Sequence, residues 1–298
     1  MHKVFDINSL DRIAIVGVGL LGGSIGLALR AAGFSGVRVG VGRRASSLER
    51  ALACEAVDET TCDTATGITG AQLVILCTPI GRFEGLLREM KSALAPGSYV
   101  TDVASTKTEV VRLAQRLLPK NVHFVGSHPM AGSEKTGVEY ARADLFENAP
   151  CLVTPTPKTP AVDVEWICSF WDLLGGLTLT LPPARHDALL ARVSHLPHAV
   201  ATALVGLSLH ESAIDLAGPG FADTTRIASG DPQMWTEIFQ TNRRALIAAL
   251  DRLMGELNRF RDRLSNGDTE AILQWLSHSK QARDQWLTER YRRKVLPS

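Results

Sequence analysis

The chain has 298 residues, 45% of them apolar and 21% charged, with 32 Lys and Arg against 31 Asp and Glu for a net charge of +1. These values exclude a disordered or collagen-like chain, and the balanced charge argues against a global electrostatic grip on nucleic acid or on an anionic membrane. The length suits two domains with cores that need no staples.

Five cysteines are present, Cys54, Cys62, Cys77, Cys151 and Cys168, with no CxxC pair. An odd number without that spacing argues against a disulfide framework or a zinc ribbon. The N-terminal segment MHKVFDINSL has no apolar h-region. The most apolar stretch, residues 199–209, is shorter than the roughly 18 residues a membrane span needs. We therefore expect a soluble protein of a reducing compartment, the cytoplasm, with no membrane or nucleic-acid partner.

The first half alternates short Val- and Ile-rich runs with longer helical patterns. Strands are predicted at residues 12–17, 37–42, 73–78, 99–103, 122–126 and 151–154, and helices at 21–32, 46–53, 83–94 and 108–118. This alternation predicts a doubly wound α/β domain around a parallel sheet. After the proline-rich PTPKTPAVD come a helix over 162–174 and a last short strand, GGLTLTL, that ends at Pro182-Pro183. Only helical patterns follow, so the boundary is placed between a nucleotide-binding domain, residues 1–181, and a helical domain, residues 182–298. In the latter, Asp231 is an N-cap and Pro232 fits the first helical position. Trp235, Ile238, Phe239, Leu246, Leu250, Leu253, Leu257, Phe260 and Leu264 draw one stripe, which predicts one long helix ending at Asn266-Gly267. Asp268 caps a second helix carrying Trp275, Ala282 and Trp286. Such helices pack against a partner chain or into an intramolecular bundle, and the pattern allows either. The terminal RYRRK reads as a solvated basic tail.

Gly17-Val18-Gly19-Leu20-Leu21-Gly22 is a GxGxxG between a strand and a helix. In that context the glycines allow a tight turn and close approach of backbone to a pyrophosphate, and the helix offers unpaired N–H groups. An acid about 20 residues further on would bond a ribose 2′-hydroxyl. Counting from Gly22, that place holds Gly42, followed by Arg43 and Arg44. Two guanidiniums suit a 2′-phosphate, so NADP is favoured over NAD, although they could also stack on adenine or face water.

Ligands of doubly wound sheets lie beyond the carboxyl ends of the strands. There the sequence places Thr78 and Pro79 after the third strand, Ser105 after the fourth and His128 after the fifth. A neutral imidazole can accept a hydroxyl proton as hydride leaves the carbon, and a serine can orient ring or substrate. In the helical domain, Ser194, His195 and His198 stand at an expected helix start, where they could meet an anion or carbonyl. Two histidines without a carboxylate do not make a metal site, so none is expected. Arg226 could clamp a carboxylate, or pair with Asp223 at the surface.

Together VGVGLLGGSIGLAL, LVILCTPI, TDVASTK, GSHPMAGSEKTG, VSHLPH and FADTTRIASGDPQMW resemble the prephenate/arogenate dehydrogenases of tyrosine biosynthesis, and the match spans about Arg12 to Trp286. The resemblance implies an NAD(P) domain, an all-helical dimerisation domain and a cleft between them. It implies that His128 is the catalytic histidine, bonded to the ring hydroxyl of prephenate or arogenate, with Ser105 assisting. Glu134 matches an acid at the mouth of the site. Ser194 and His198 match substrate-contacting positions, with His198 preferred to His195. Arg226 matches the arginine that holds the substrate carboxylate, Trp235 a supporting aromatic, and Asp187 is implied to pair with that arginine on closure. The cofactor-binding set is Gly17, Gly19, Leu20, Leu21, Gly22, Arg43, Arg44, Thr78 and Pro79. A homodimer is implied as well, with no fused mutase or full regulatory domain. The chain departs from many relatives in carrying Gly42 in place of Asp. Two other readings stand beside this one. A β-hydroxyacid dehydrogenase would need a second-domain lysine, and none lies between Lys158 and Lys280. A nucleotide-sensing protein without catalysis would not need the Ser105, His128 and Arg226 set.

Overall fold

A computed structural model describes residues 6–132, 135–209 and 214–295. The chain forms two compact units that divide between Leu246 and Ile247. The first opens with β1 (Arg12–Val16), α1 (Leu20–Ala31) and β2 (Val37–Val41). It continues through α2 (Ala45–Ala53), β3 (Glu59–Thr61), α3 (Thr64–Ile68), β4 (Leu73–Leu76), α4 (Phe83–Met90), β5 (Tyr99–Asp102), α5 (Thr108–Leu117) and β6 (His123–Phe124). The six strands pair in parallel in the order β3-β2-β1-β4-β5-β6, the Rossmann order, which reverses direction between β1 and β4. Alternate strand residues feed two cores. Ile13 and Ile15 pack with Ile25, Leu29 and Trp171 on one face, while Ala14 and Val16 pack with Val39, Val74, Phe83 and Leu87 on the other. Both faces are covered, which is why these strands read as unbroken apolar runs. The sequence reading missed β3 and α3. The strand is the half-exposed Glu-Thr-Thr, with no apolar period to see, and Asp63 caps the helix by accepting from Thr66 N at 2.6 Å.

The expected strand over 122–126 divides in two. β6 stops at Phe124, and Gly126–Pro129 forms β7 of a second sheet with β8 (Pro150–Thr154) and β9 (Leu177–Thr180), ordered β7-β8-β9. Between β8 and β9 runs α6 (Ala161–Leu173). β7 is antiparallel to β8 with His128 opposite Leu152, so His128 sits within a strand rather than in a loop beyond one. Side-chain bonds tie β7 to the end of β5: Thr101 Oγ1 lies 2.8 Å from Ser127 Oγ, and Asp102 Oδ1 accepts Ser127 N–H at 3.1 Å.

The helices that follow are α7 (Pro183–Leu190), a π-helical turn (Ala191–His195), α8 (Leu196–Ser208), α9 (Pro219–Thr225), α10 (Pro232–Thr241), α11 (Arg243–Ser265) and α12 (Thr269–Val295). Ser194 therefore does not start a helix. α7, the π turn and α8 run on as one, and Pro197 is interior. Proline has no N–H for the carbonyl four residues back, and its ring crowds that carbonyl, so the wide turn before it relieves the clash. The joined helix Pro183–Ser208 is long and apolar enough to cross a membrane by length and composition alone, but it carries His186, Asp187, His195 and His198 buried in the protein.

The single long helix expected from Pro232 to Leu264 is also corrected, because it breaks at Asn242 (φ −107°, ψ 21°). Buried Asn242 Nδ2 donates to Asp187 O at 2.8 Å and lies 3.0 Å from His195 Nδ1, and those bonds hold the residue out of helical geometry. In the second unit, Gly267 (φ 66°) ends α11 in a Schellman turn, with Asp268 N donating to Arg263 O. Asp268 Oδ1 caps α12 at Ala271 N, and Phe260 stacks on Trp275 at 4.9 Å. Asn242→Leu keeps the branched outline of the side chain but leaves the Asp187 carbonyl and the His195 nitrogen without their partner. It should cost about 1–3 kcal/mol in urea unfolding, and a loss under about 0.5 kcal/mol would show these bonds to be immaterial.

Candidate active site

The fingerprint has the geometry its residue types require. Gly17 has φ 104°, and a Cβ there would stand 2.7 Å from Cys77 O. At Gly22 a Cβ would meet Gly17 O at 2.0 Å, whereas at Gly19 it would meet nothing within 4 Å. The turn is thus closed toward the sheet and open on the outside. Gly19 is the N-cap of α1 and carries no side chain, and the first-turn N–H groups of Leu20, Leu21 and Gly22 have no intrahelical partner. Beside the turn, Thr78 Oγ1 is buried without a hydrogen-bond partner among the described residues, and Pro79 next to it is exposed. Arg43 and Arg44 are exposed beyond β2, Arg44 as the N-cap of α2. A cavity of about 580 Å³ is lined by Leu20 of α1 and by Met130, Ala131 and Gly132, which directly follow β7. An open glycine cradle, an orphaned hydroxyl and an adjoining cavity fit a dinucleotide.

A fully buried ion pair joins the β5 and β7 ends. Lys107 Nζ bonds Asp102 Oδ2 and donates to Ser127 O at 2.6 Å. Asp102 also accepts from Ala104 N at 2.9 Å and from Ser127 N at 3.1 Å. Burial pushes the Lys107 pKa down, against the attraction of Asp102. The pair locks the loop bearing Ser105 to the strand bearing His128. Ser105 itself is half-buried and makes no hydrogen bond to His128 among the described residues.

His128 is buried, and its Nδ1 lies 2.9 Å from His186 Nε2. His186 Nδ1 in turn lies 2.9 Å from Asp187 Oδ1. Asp187 also accepts Lys107 N at 2.8 Å and Thr108 N at 2.9 Å. Burial, then His186, Lys107 and His195, hold the His128 pKa well below the ordinary histidine value, so the ring is neutral at physiological pH. Asp187 is wholly engaged in this chain. It forms no ion pair with Arg226, which stands exposed after α9 without an ion-pair partner among the described residues.

The second cluster is aromatic. His198 stacks on Trp235 with centroids 3.6 Å apart, and its Nδ1 is buried without a partner among the described residues. Gly230 makes this close packing possible, since a Cβ there would stand 2.4 Å from Trp235 Nε1. His195 meets Trp235 edge-on at 6.2 Å and is linked through Asn242 to Asp187, so the two clusters are joined by hydrogen bonds. Ser194 is half-buried in the π turn. Glu134 lies outside the described residues. Among the described residues no three His, Cys, Asp or Glu could hold a metal. Sequence reasoning missed His186, Asn242, Lys107 and Asp102 as parts of the site. Only the buried-strand position of Asp102 and the adjacent His186-Asp187 pair could have hinted at them.

Burial pushes the His195 pKa down to about 4. A histidine in the unfolded chain takes up its proton near pH 6.5, so below that value the unfolded state binds more protons and stability falls with pH. His195 should cost about 2 kcal/mol between pH 6.5 and pH 5. Urea midpoints across that range should fall for the native chain and fall less for His195→Gln. Equal slopes would remove His195 from the effect.

Residues 25–179 match the family described as "Prephenate dehydrogenase, nucleotide-binding domain", and residues 182–278 match "Prephenate dehydrogenase, dimerization domain". The chain is 34% identical to the prephenate dehydrogenase of Bacillus subtilis, over 92% of this chain and 76% of that protein. It is 32% identical to the cyclohexadienyl dehydrogenase of Zymomonas mobilis, over 91% and 94% of the two chains. The structure of prephenate dehydrogenase from A. aeolicus in complex with hydroxyphenyl propionate and NAD+ superposes with a TM-score of 0.87 at 33% identity, covering 92% of this chain and 98% of that one. Synechocystis arogenate dehydrogenase gives a TM-score of 0.82 at 34% identity, over 92% and 99%. With the fingerprint, the buried histidine and both halves of the chain in agreement, this protein belongs to the prephenate dehydrogenase family of NAD-dependent oxidoreductases.

Proposed function

We propose that this chain oxidises and decarboxylates prephenate to 4-hydroxyphenylpyruvate, a step of tyrosine biosynthesis. The observation that carries this reading is a buried, neutral His128 anchored at Nδ1, on the strand tied to the end of β5. The ring's other nitrogen is then the base for the substrate's ring hydroxyl, as the likeness to the A. aeolicus enzyme, which holds hydroxyphenyl propionate, supports. The Gly17–Gly22 turn, Thr78 and Pro79 would hold NAD(P), which when bound supplies the hydride acceptor. His128 draws off the hydroxyl proton as hydride leaves the same carbon, the ring carboxylate departs as carbon dioxide and the ring becomes aromatic. Aromatisation drives the reaction, so the protein's work is orientation and proton removal. Ser105 is assigned to steady the reacting groups, Ser194, His198 and Trp235 to line the substrate site, and exposed Arg226 to clamp a substrate carboxylate, with Glu134 at the mouth. Arogenate is the second reading, supported by the likeness to the Synechocystis enzyme.

For the cofactor, Gly42-Arg43-Arg44 supports NADP over NAD. Gly42 stands where an acid would bond a ribose hydroxyl, and two exposed guanidiniums follow it at the start of α2. The division into residues 1–181 and 182–298 is supported by where the two family matches meet. A homodimer is supported by the dimerization-domain match and by exposed Leu257, Leu264, Leu273 and Leu276 on α11 and α12. A cytoplasmic location fits a biosynthetic enzyme with free cysteines.

Initial rates read by nicotinamide absorbance, with prephenate or arogenate and NAD or NADP, test both assignments. The highest rate is expected with prephenate and NADP, and Arg43→Ala/Arg44→Ala should raise the KM for NADP while sparing NAD. Equal effects on both cofactors would remove the 2′-phosphate role. His128→Asn should bind both ligands and lose about 10²–10⁴-fold in kcat. Near-native turnover by that variant would overturn the base assignment.

A further inference from the structure

The Asp187–His186–His128 chain has a direction. Asp187 is buried, which favours its neutral form, but bonds from His186, Thr108 and Lys107 outweigh burial and hold it as a carboxylate. A carboxylate only accepts, so His186 Nδ1 carries the hydrogen. A neutral imidazole protonated there has a bare Nε2, and this atom lies 2.9 Å from His128 Nδ1. His128 must therefore donate from Nδ1, which leaves its own Nε2 bare. The two rings thereby fix the tautomer that a base at Nε2 requires.

The charged groups around the two rings differ. His128 faces Lys107 and His195, which disfavour a cation, and no described carboxylate touches it. His186 also faces Lys107, but it touches Asp187 and lies near Asp102. A positive charge is better accommodated on His186 than on His128.

We infer that His186 is a positioning residue for the reaction and that the proton removed from the substrate is matched by a second transfer, from His128 Nδ1 to His186 Nε2. The inference rests on the reading of His128 as the base. In the first transfer the substrate O–H bond breaks and an N–H bond forms at His128 Nε2. In the second, the His128 Nδ1–H bond breaks and a His186 Nε2–H bond forms. One proton enters and none leaves. His128 ends neutral in its other tautomer, and His186 ends as an imidazolium against the Asp187 carboxylate. Acid has the same consequence in the free enzyme. A doubly protonated His186 donates to His128 Nδ1 and drives the His128 proton onto Nε2, which disables the base. The acid limb of kcat/KM then reports the His186–Asp187 pair.

The test compares the native chain with His186→Gln, His186→Phe and His128→Asn. Glutamine can accept from His128 Nδ1 through its carbonyl but cannot take up a proton. His186→Gln should fold and keep its substrate KM, lose about 10²-fold in kcat and shift the acid limb to lower pH. His186→Phe, which cannot accept, should lose more. In the ligand-free native chain, ¹⁵N-histidine NMR should show His128 protonated at Nδ1, with His186 taking its second proton at a higher pH than His128. A His128 protonated at Nε2 at neutral pH would overturn the inference even if the His186 variants failed to fold. So would a His186→Gln with kcat within about threefold of native and an unmoved acid limb. Full turnover by His128→Asn would instead overturn the base reading beneath it.

Discussion

The Asp187 carboxylate is the point on which the catalytic half of this molecule depends. Its two oxygens take the backbone N–H groups of Lys107 and Thr108 at the start of α5 and the ring N–H of His186, and its carbonyl takes Asn242. Three segments distant in sequence meet at one residue. Removing water from an unpaired carboxylate costs several kcal/mol, which charge-assisted bonds of good geometry repay. The carboxylate is therefore stable only while α5, α7 and the Asn242 break keep their places. The same bonds that lower its energy fix where the helices sit.

A second buried charge performs the same service on the sheet side. Lys107 supplies its backbone to Asp187 and its side chain to Asp102, and Asp102 holds both Ala104 and Ser127. One residue thus connects the two networks, and His128 hangs between them, fixed at its backbone through Ser127 and at its ring through His186. A buried ion pair is weak evidence for stability in itself, since an apolar replacement of equal volume can do as well. Here its value lies in geometry. An apolar pair would fill the space but could not fix the register between the Ser105 loop and β7.

The sheet was legible in the sequence because its signals are local. Val and Ile runs, the glycine spacing and the Asp231-Pro232 cap each lie within a few residues, and each reports one physical requirement. The nucleotide end of the site was legible for the same reason. What was not legible depended on distant partners. β7 pairs with β8, distant in sequence, and is tied to β5 through Ser127, and no periodicity announces either. Asn242 is a polar interruption of the apolar stripe between Phe239 and Leu246, and a single polar residue there does not announce a helix end. Its power to break the helix comes from Asp187 and His195, 55 and 47 residues away. His186 carries no motif, and its importance appears only once its ring stands between a carboxylate and another imidazole. The π turn was hidden as well, because Pro197 reads equally as a helix start or as an interior distortion.

The proposed chemistry accounts for a buried, neutral His128 backed by a second imidazole and a buried carboxylate. A base for a hydroxyl proton must be unprotonated in the resting state, and burial of His128 ensures that. The same burial makes the imidazolium formed during turnover costly, because desolvation acts on whichever state bears the charge. A lone buried histidine would be a poor base for the reason that keeps it neutral. Placing a second imidazole and a carboxylate behind it separates the two demands. His128 remains neutral before the reaction, and charge formed during it has a carboxylate to rest against two bonds away. His198 Nδ1 and Thr78 Oγ1 are buried without a partner among the described residues, and on the proposed reading a bound ligand that satisfied them would gain binding energy from atoms the protein itself leaves unpaired.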